Sequence, residues 1–235
     1  MTRDSRIKRI PGFLNRRASS FLESREGRSE RKHLEKLIPE LANYNELALP
    51  IKEKLEPIYQ NYISTISTDV MALSLQASVF MSVLCKITKP KNILDLGSGF
   101  SSATFRIYAE TVDSKPDIWS IDDSPEWLGK TGEFLTSHNL EVGNLLTWEE
   151  FLSQNQDTFD FVLHDMGTMK TREALVPEIL SLVSEKGIVF LDDIHKNNYR
   201  KSAKRVVKER GLIYHNLKYY TVDKFNRYCA LVTHE

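Results

Sequence analysis

Long apolar runs are missing from this 235-residue chain. Its most apolar stretch, MALSLQASVFMSVLCKI (71–87), is interrupted by Ser74, Gln76, Ser78 and Ser82 and is short for a bilayer span, so it reads as a core helix. No secretory apolar segment opens the chain, which sets the expectation of a cytoplasmic protein. Cysteine is scarce. Cys85 and Cys229 lie in apolar surroundings without metal-ligand spacing and are expected as free, buried thiols in a reducing compartment. Net charge is also absent: 32 basic residues balance 32 acidic ones, so no overall field argues for nucleic acid, and none is expected as a partner. There is no internal repeat and no low-complexity tract.

The balanced charge is unevenly placed. Residues 1–32 carry ten Lys or Arg against four acids. Residues 1–28, polar and basic with Pro11 and Gly12, read as a flexible arm. Such an arm is either a solvated tail or a contact for an acidic protein or an anionic membrane surface. Residues 29–68 read as a helical extension, with two helices separated near Pro50 and a boundary or kink at Pro57. A third helix is expected over about 69–87, capped by Ser67 or Thr68 and ended by Lys89-Pro90.

From residue 69 to 235 the texture changes to a single α/β domain. NILDL (92–96), IWSID (118–122), FDFVLHD (159–165) and GIVFLDD (187–193) are short apolar runs that end in acids. Helical patterns separate them, at about 101–111, 125–137, 169–184 and 196–210. Alternation of this kind predicts βαβ units and a doubly wound, mostly parallel sheet buried on both faces. A weaker strand near 140–146 precedes Thr147 and Glu150 at capping-box spacing. Residues 212–232 lack a helical period and are expected as an antiparallel hairpin closing the sheet edge.

In open parallel sheets, ligands bind beyond the carboxyl ends of the strands. That rule sets Asp95, Asp122, Asp165, Asp192 and Asp193 along one rim. Each alone is explained as a helix N-cap; five together point to a site. The turn after the first run, Gly97-Ser98-Gly99, aims backbone N–H groups at whatever lies above it. No lysine follows Gly99, which argues against a triphosphate loop. The third glycine of a dinucleotide turn is missing and Asp95 would repel a pyrophosphate, which discounts a nicotinamide oxidoreductase. S-adenosylmethionine, without phosphate and with a sulfonium and an ammonium, suits an acid beside an N–H-rich turn.

ILDLGSG resembles the first motif of the class I S-adenosylmethionine-dependent methyltransferases. WSIDDSPEW is similar to their second-strand motif, in which an acid holds the ribose hydroxyls, and Asp122 matches that position with Asp123 beside it. FDFVLHDMG and GIVFLDDIH resemble the fourth- and fifth-strand motifs of small-molecule O-methyltransferase branches. The likeness runs over about residues 70–233 and departs at Phe100-Ser101, where the third small position is expected. It implies a seven-stranded Rossmann-like methyltransferase fold with an N-terminal helical extension. It also implies a cofactor site at Asp95, Gly97, Ser98, Gly99, Asp122, Asp123 and Asp165, and a small-molecule or sugar-type acceptor.

The slot after the fourth strand reads His164-Asp165-Met166-Gly167, without the Pro-Pro-aromatic of base N-methylating enzymes, so an oxygen acceptor is expected. Two routes to its deprotonation stay open. Asp165, Asp192 and Asp193 are hard oxygen ligands suited to Mg²⁺, although the metal-dependent catechol-type family has Asp-Asn where this chain has Asp-Asp. Alternatively His195, or His164, is the general base, with Asp165 and Asp192 beside it in the catalytic set. Arg200, Lys201, Lys204, Arg205 and Lys208 form either a solvated helix face or a hold on an acidic acceptor, as does Arg172. Trp127 and Trp148 are candidates for stacking on adenine or for packing. A catalytically inactive S-adenosylmethionine-binding scaffold is the alternative from another class; it has little reason to keep Asp165, Asp192 and His195 together.

Overall fold

A parallel strand covered on both faces must be apolar almost throughout, and β1 (Asn92–Leu96) buries every residue after the first. In a computed structural model, which describes residues 28–154 and 158–234, β1 is an inner strand of a seven-stranded sheet. The other strands are β2 (Asp117–Asp122), β3 (Leu145–Thr147), β4 (Phe159–His164), β5 (Val183–Leu191), β6 (Ile213–Asn216) and β7 (Ala230–Thr233). Their order is β3-β2-β1-β4-β5-β7-β6. Only β7 runs antiparallel to its neighbours, pairing with β5 on one side and β6 on the other. The order of strand addition reverses between β1 and β4, which run parallel, and a crevice opens above their carboxyl ends.

Successive residues of each strand feed opposite layers. Ile93, Phe161, Leu163 and Phe190 pack under α3 (Leu75–Thr88), α4 (Phe100–Ala109) and α5 (Pro125–Ser137). Leu94, Leu96, Val162 and Leu191 meet α6 (Trp148–Gln154), α7 (Met169–Ile179) and α8 (Asn197–Glu209) on the other face. No helix among the described residues is long and apolar enough to cross a membrane. The basic arm expected at 1–28 lies outside the described residues except for Arg28.

The chain ahead of the sheet differs from expectation. After α1 (28–37) and a 3₁₀ turn (Pro39–Asn43), α2 runs unbroken from Tyr44 to Thr65 through both Pro50 and Pro57. Ala48, Ile51, Leu55, Tyr59 and Tyr62 form its buried stripe, whereas both prolines and the carbonyl-bearing Glu46 and Glu53 face solvent. Water can satisfy the two carbonyls that proline leaves unbonded, and the packed stripe carries the helix through both prolines. The helix expected at 69–87 begins only at Leu75, because Ser74 caps it by accepting the Ala77 N–H at 3.1 Å. Neither Ser67 nor Thr68 caps a helix, and residues 67–74 form a loop.

Three smaller corrections follow. The third strand lies at Leu145–Thr147 instead of 140–146, with Thr147 and Glu150 capping each other as spaced. Helix α7 stops at Ile179, not 184. Gly187 allows a bulge where a Cβ would stand 2.6 Å from the Phe159 carbonyl oxygen, so β5 starts early and Val183 pairs with Phe159. The edge pair β6–β7 is antiparallel as expected, but one turn of helix, α9 (Lys218–Thr221), interrupts the connection.

Candidate active site

The glycine turn after β1 is dictated by close approach. Gly97 has φ +103°, and a Cβ there would lie 2.6 Å from the Asp165 carbonyl carbon at the end of β4. At Gly99 a Cβ would come within 2.7 Å of the Tyr62 hydroxyl, so a side chain of α2 occupies the space above the turn. The Gly99 N–H donates to Ser102 Oγ at 3.1 Å.

Asp95 supports this turn from beneath. It is fully buried, and its Oδ2 accepts from Ser102 Oγ at 2.5 Å and Ser120 Oγ at 2.9 Å. The buried Arg106 guanidinium donates to Ser120 Oγ, to the Ser102 carbonyl and to the Gly143 carbonyl, tying α4 to β2 and to the segment ahead of β3. Burial pushes the Asp95 carboxyl up, against the pull of its serine partners. Asp95 does not line the cavity above.

That cavity, of about 250 Å³, is walled by Gly97, Ser98 and Gly99 on one side and by Asp122, Ser124 and Trp127 on another. Asp165, Gly167 and Arg172 close it toward β4, and Tyr62 with Met71, Ala72 and Leu73 closes it from the N-terminal helices. Asp122 accepts from the Ser124 N–H at 3.0 Å and from Ser98 Oγ at 3.3 Å. Its carboxyl is pushed up to about 6, chiefly by burial. Asp123 next to it is exposed and approaches Gly167. Trp127 donates Nε1–H to the Ser98 carbonyl at 2.5 Å, edging the cavity, whereas Trp148 packs on Phe151 in the opposite layer.

Beyond Asp165 the remaining rim residues converge. Oxygens of Asp165, Asp192 and Asp193 lie within 4.8 Å of one another, a spacing that a cation could span. A cation is already there: Arg172 Nη1 stands 2.5 Å from Asp165 Oδ1 and 2.8 Å from Asp193 Oδ2. One Asp192 oxygen accepts the Cys229 thiol at 3.1 Å. With the guanidinium in place the carboxylates do not fit Mg²⁺, which needs oxygens near 2.1 Å in the same gap. His195 Nδ1 lies 3.4 Å from Asp193 Oδ1, a contact too long to orient the ring. Burial lowers the His195 pKa while Asp193 opposes the shift.

The other candidates lie apart. His164 is fully buried and donates Nε2–H to the Arg172 carbonyl at 3.0 Å; burial drops its pKa to about 4, and it acts as a brace for α7. Along α8, Arg200 bonds Tyr228 and Asn197, Lys204 lies over the Tyr214 ring, and Arg205 pairs with Glu209. Sequence reasoning missed Tyr62, Arg106 and the 71–73 loop. Arg106 alone left a trace, four residues after Ser102 on one helix face.

Neither a protein-family model nor a curated protein sequence matches the chain. Solved structures do. An O-methyltransferase from Bacillus cereus, determined with S-adenosylhomocysteine, superposes with a TM-score of 0.57 at 16% identity, over 77% of this chain and 90% of that one. The S-adenosylhomocysteine-bound Podospora anserina methyltransferase PaMTH1 gives 0.58 at 18%, over 77% and 87%. The Streptomyces achromogenes O-methyltransferase TomG, involved in tomaymycin synthesis, gives 0.55 at 15%, over 76% and 88%. The fold is that of the class I methyltransferases. In this methyltransferase fold the cavity lies at the switch point between β1 and β4, where Gly97 touches Asp165.

Proposed function

We propose that the protein is an S-adenosylmethionine-dependent methyltransferase that acts on an oxygen of a small-molecule acceptor. One observation carries the reading: the glycine turn of β1 and the buried Asp122 at the end of β2 face the same cavity, whose far wall is Asp165 and Arg172. Gly97 and Gly99 let the turn pass against the Asp165 backbone and the Tyr62 hydroxyl at the edge of the cavity, and Asp122 offers a carboxylate to a diol such as ribose. Asp123 lies at the outer edge of that wall. When bound, S-adenosylmethionine supplies an electrophilic methyl group on its sulfonium.

The chain's own residues then have a short task. The wall formed by Tyr62 and the 71–73 loop excludes water and fixes orientation, which is the larger part of an in-line displacement. His195, kept neutral by burial, accepts the acceptor's hydroxyl proton, and Asp193 steadies the imidazolium so formed. Asp165 and Asp192 complete the polar rim with Arg172. Keeping this rim together with the cofactor wall supports catalysis over an inactive scaffold. Unpaired Cys85 and Cys229, both buried, agree with a cytoplasmic setting.

Calorimetry with S-adenosylhomocysteine tests the reading. We expect micromolar binding, no binding of NAD, and at least a tenfold loss in Asp122→Ala, the equivalent of a charged hydrogen bond worth about 1.5–3 kcal/mol. Unchanged affinity in that variant would remove Asp122 from the site.

A further inference from the structure

We propose that the Arg172 guanidinium is the resident cation of the acceptor rim, standing where a divalent metal would bridge the carboxylates, so that the protein binds no metal there. The inference rests on the reading of the rim as the acceptor side of a methyltransferase site. Its own support is geometric. A single nitrogen, Nη1, reaches both Asp165 and Asp193, at 2.5 and 2.8 Å. The third carboxylate, Asp192, has one oxygen engaged by the Cys229 thiol.

The arginine is held in this position by its own helix. Thr168 caps α7 through the Thr171 N–H, which sets Arg172 in the first turn directly behind β4. Its Nε–H donates to the Gly167 carbonyl at 3.3 Å, and its own carbonyl is gripped by His164. Gly167, at φ +73°, makes the turn that returns the chain over the rim. Asp193 reaches Nη1 from a left-handed backbone, φ +55°, unusual for a residue with a side chain. Both ends of the ion pair are thus fixed by backbone geometry.

A guanidinium stays protonated at any working pH. It therefore excludes a second cation from the gap at all times. Arg172 also lines the cavity, so an acceptor oxygen that enters between the glycine turn and the rim meets a guanidinium in place of a metal. A hydroxyl that carries or develops negative charge is the acceptor class this favours.

The test is metal binding, read separately from methyl transfer. Purified wild-type protein, stripped with chelator, is titrated with Mg²⁺ and Mn²⁺ by calorimetry and Mn²⁺ electron paramagnetic resonance. No site tighter than about 1 mM, the loosest range of protein calcium sites, is expected. Arg172→Gln keeps a donor toward Gly167 but drops the charge, and it should bind Mn²⁺ at least tenfold more tightly than wild type, with a higher melting temperature in its presence. Arg172→Lys should stay closed to metal. One Mn²⁺ on wild type, weakened tenfold by Asp192→Asn, would overturn the proposal, as would a folded Arg172→Gln that gains no metal. If Arg172→Gln does not fold, the wild-type titration decides alone. S-adenosylhomocysteine binding is measured alongside, and its absence sinks the methyltransferase reading without touching the metal result.

Discussion

Asp122 and His195 titrate in opposite senses from their ordinary values, and each shift sets a pH dependence. Burial raises the Asp122 carboxyl to about 6, Asp123 adds to the shift, and the Ser124 N–H and Ser98 hydroxyl oppose it. Below pH 6 the group is a neutral acid and no longer accepts from a diol on both oxygens. S-adenosylhomocysteine affinity should therefore fall as pH drops through 6, by up to about tenfold per unit, and Asp122→Asn should flatten the profile. Calorimetry at pH 5, 6 and 7.5 reads it, and a wild-type profile as flat as the variant's would refute it. In the empty protein the same shift favours the folded state below the ordinary value of 3.8, and that contribution is lost as pH rises through about 6. His195 is shifted downward, so its neutral form persists below its usual 6.5. Turnover should hold as pH falls to 6.5 and fail only below it, while His195→Ala should lose roughly 10²–10⁴ in kcat. Full activity of that variant would remove His195 as the base.

At the scale of elements, two connections shape the cavity. The β1–α4 turn needs glycine at 97, since its φ of +103° and its contact with the β4 backbone both reject a Cβ. Gly97→Ala should destabilise by at least about 1–3 kcal/mol from conformation alone. Thermal unfolding measures that cost, and a melting temperature equal to wild type would contradict it. The α2–α3 loop is clamped from the far end of the chain: Arg227 donates to the carbonyls of Asp69, Val70 and Ala72 while paired with Asp223. Arg227→Ala should speed amide exchange over residues 69–73 and weaken S-adenosylhomocysteine several-fold, with β1 exchange unchanged. Strands β1, β2, β4 and β5 were legible because parallel strands buried on both faces are apolar runs, and each of these four has an acid within one residue of its end. The start of α3 was not, because Ser67, Thr68 and Ser74 are equally good caps and packing alone chose Ser74. Nor was the course of α2, where the exposed placement of Pro50 and Pro57 leaves the freed carbonyls to water and the buried stripe outweighs the remaining cost.

At the scale of the molecule, the N-terminal helices and the sheet share one core. Leu34, Leu41, Ile51, Leu55 and Tyr62 belong to the same apolar cluster as Ile93, Phe161 and Phe190. This is also why Tyr62 could not be read as a site residue. Its place in the cavity depends on α2 packing against α3 and α4, a contact between distant parts of the chain, whereas Asp122 and Asp165 announce themselves by ending strands. Arg106 was hidden for a similar reason, since its partners Ser120 and Gly143 come from beyond its own helix. A shared core makes a specific demand on stability. Leu55, 1% exposed in the middle of α2, touches no part of the cavity, so truncating it acts through packing alone. Leu55→Ala should cost about 2–5 kcal/mol. Because α2 has no separate core, that loss should shift one cooperative transition for the whole protein, seen together by circular dichroism and by the fluorescence of Trp119, which lies on the far side of the sheet against Phe151 and Phe159. Early melting of helical signal with Trp119 unmoved would show instead that α2 is an appended unit, and Tyr62 would then leave the cavity wall when that unit melts.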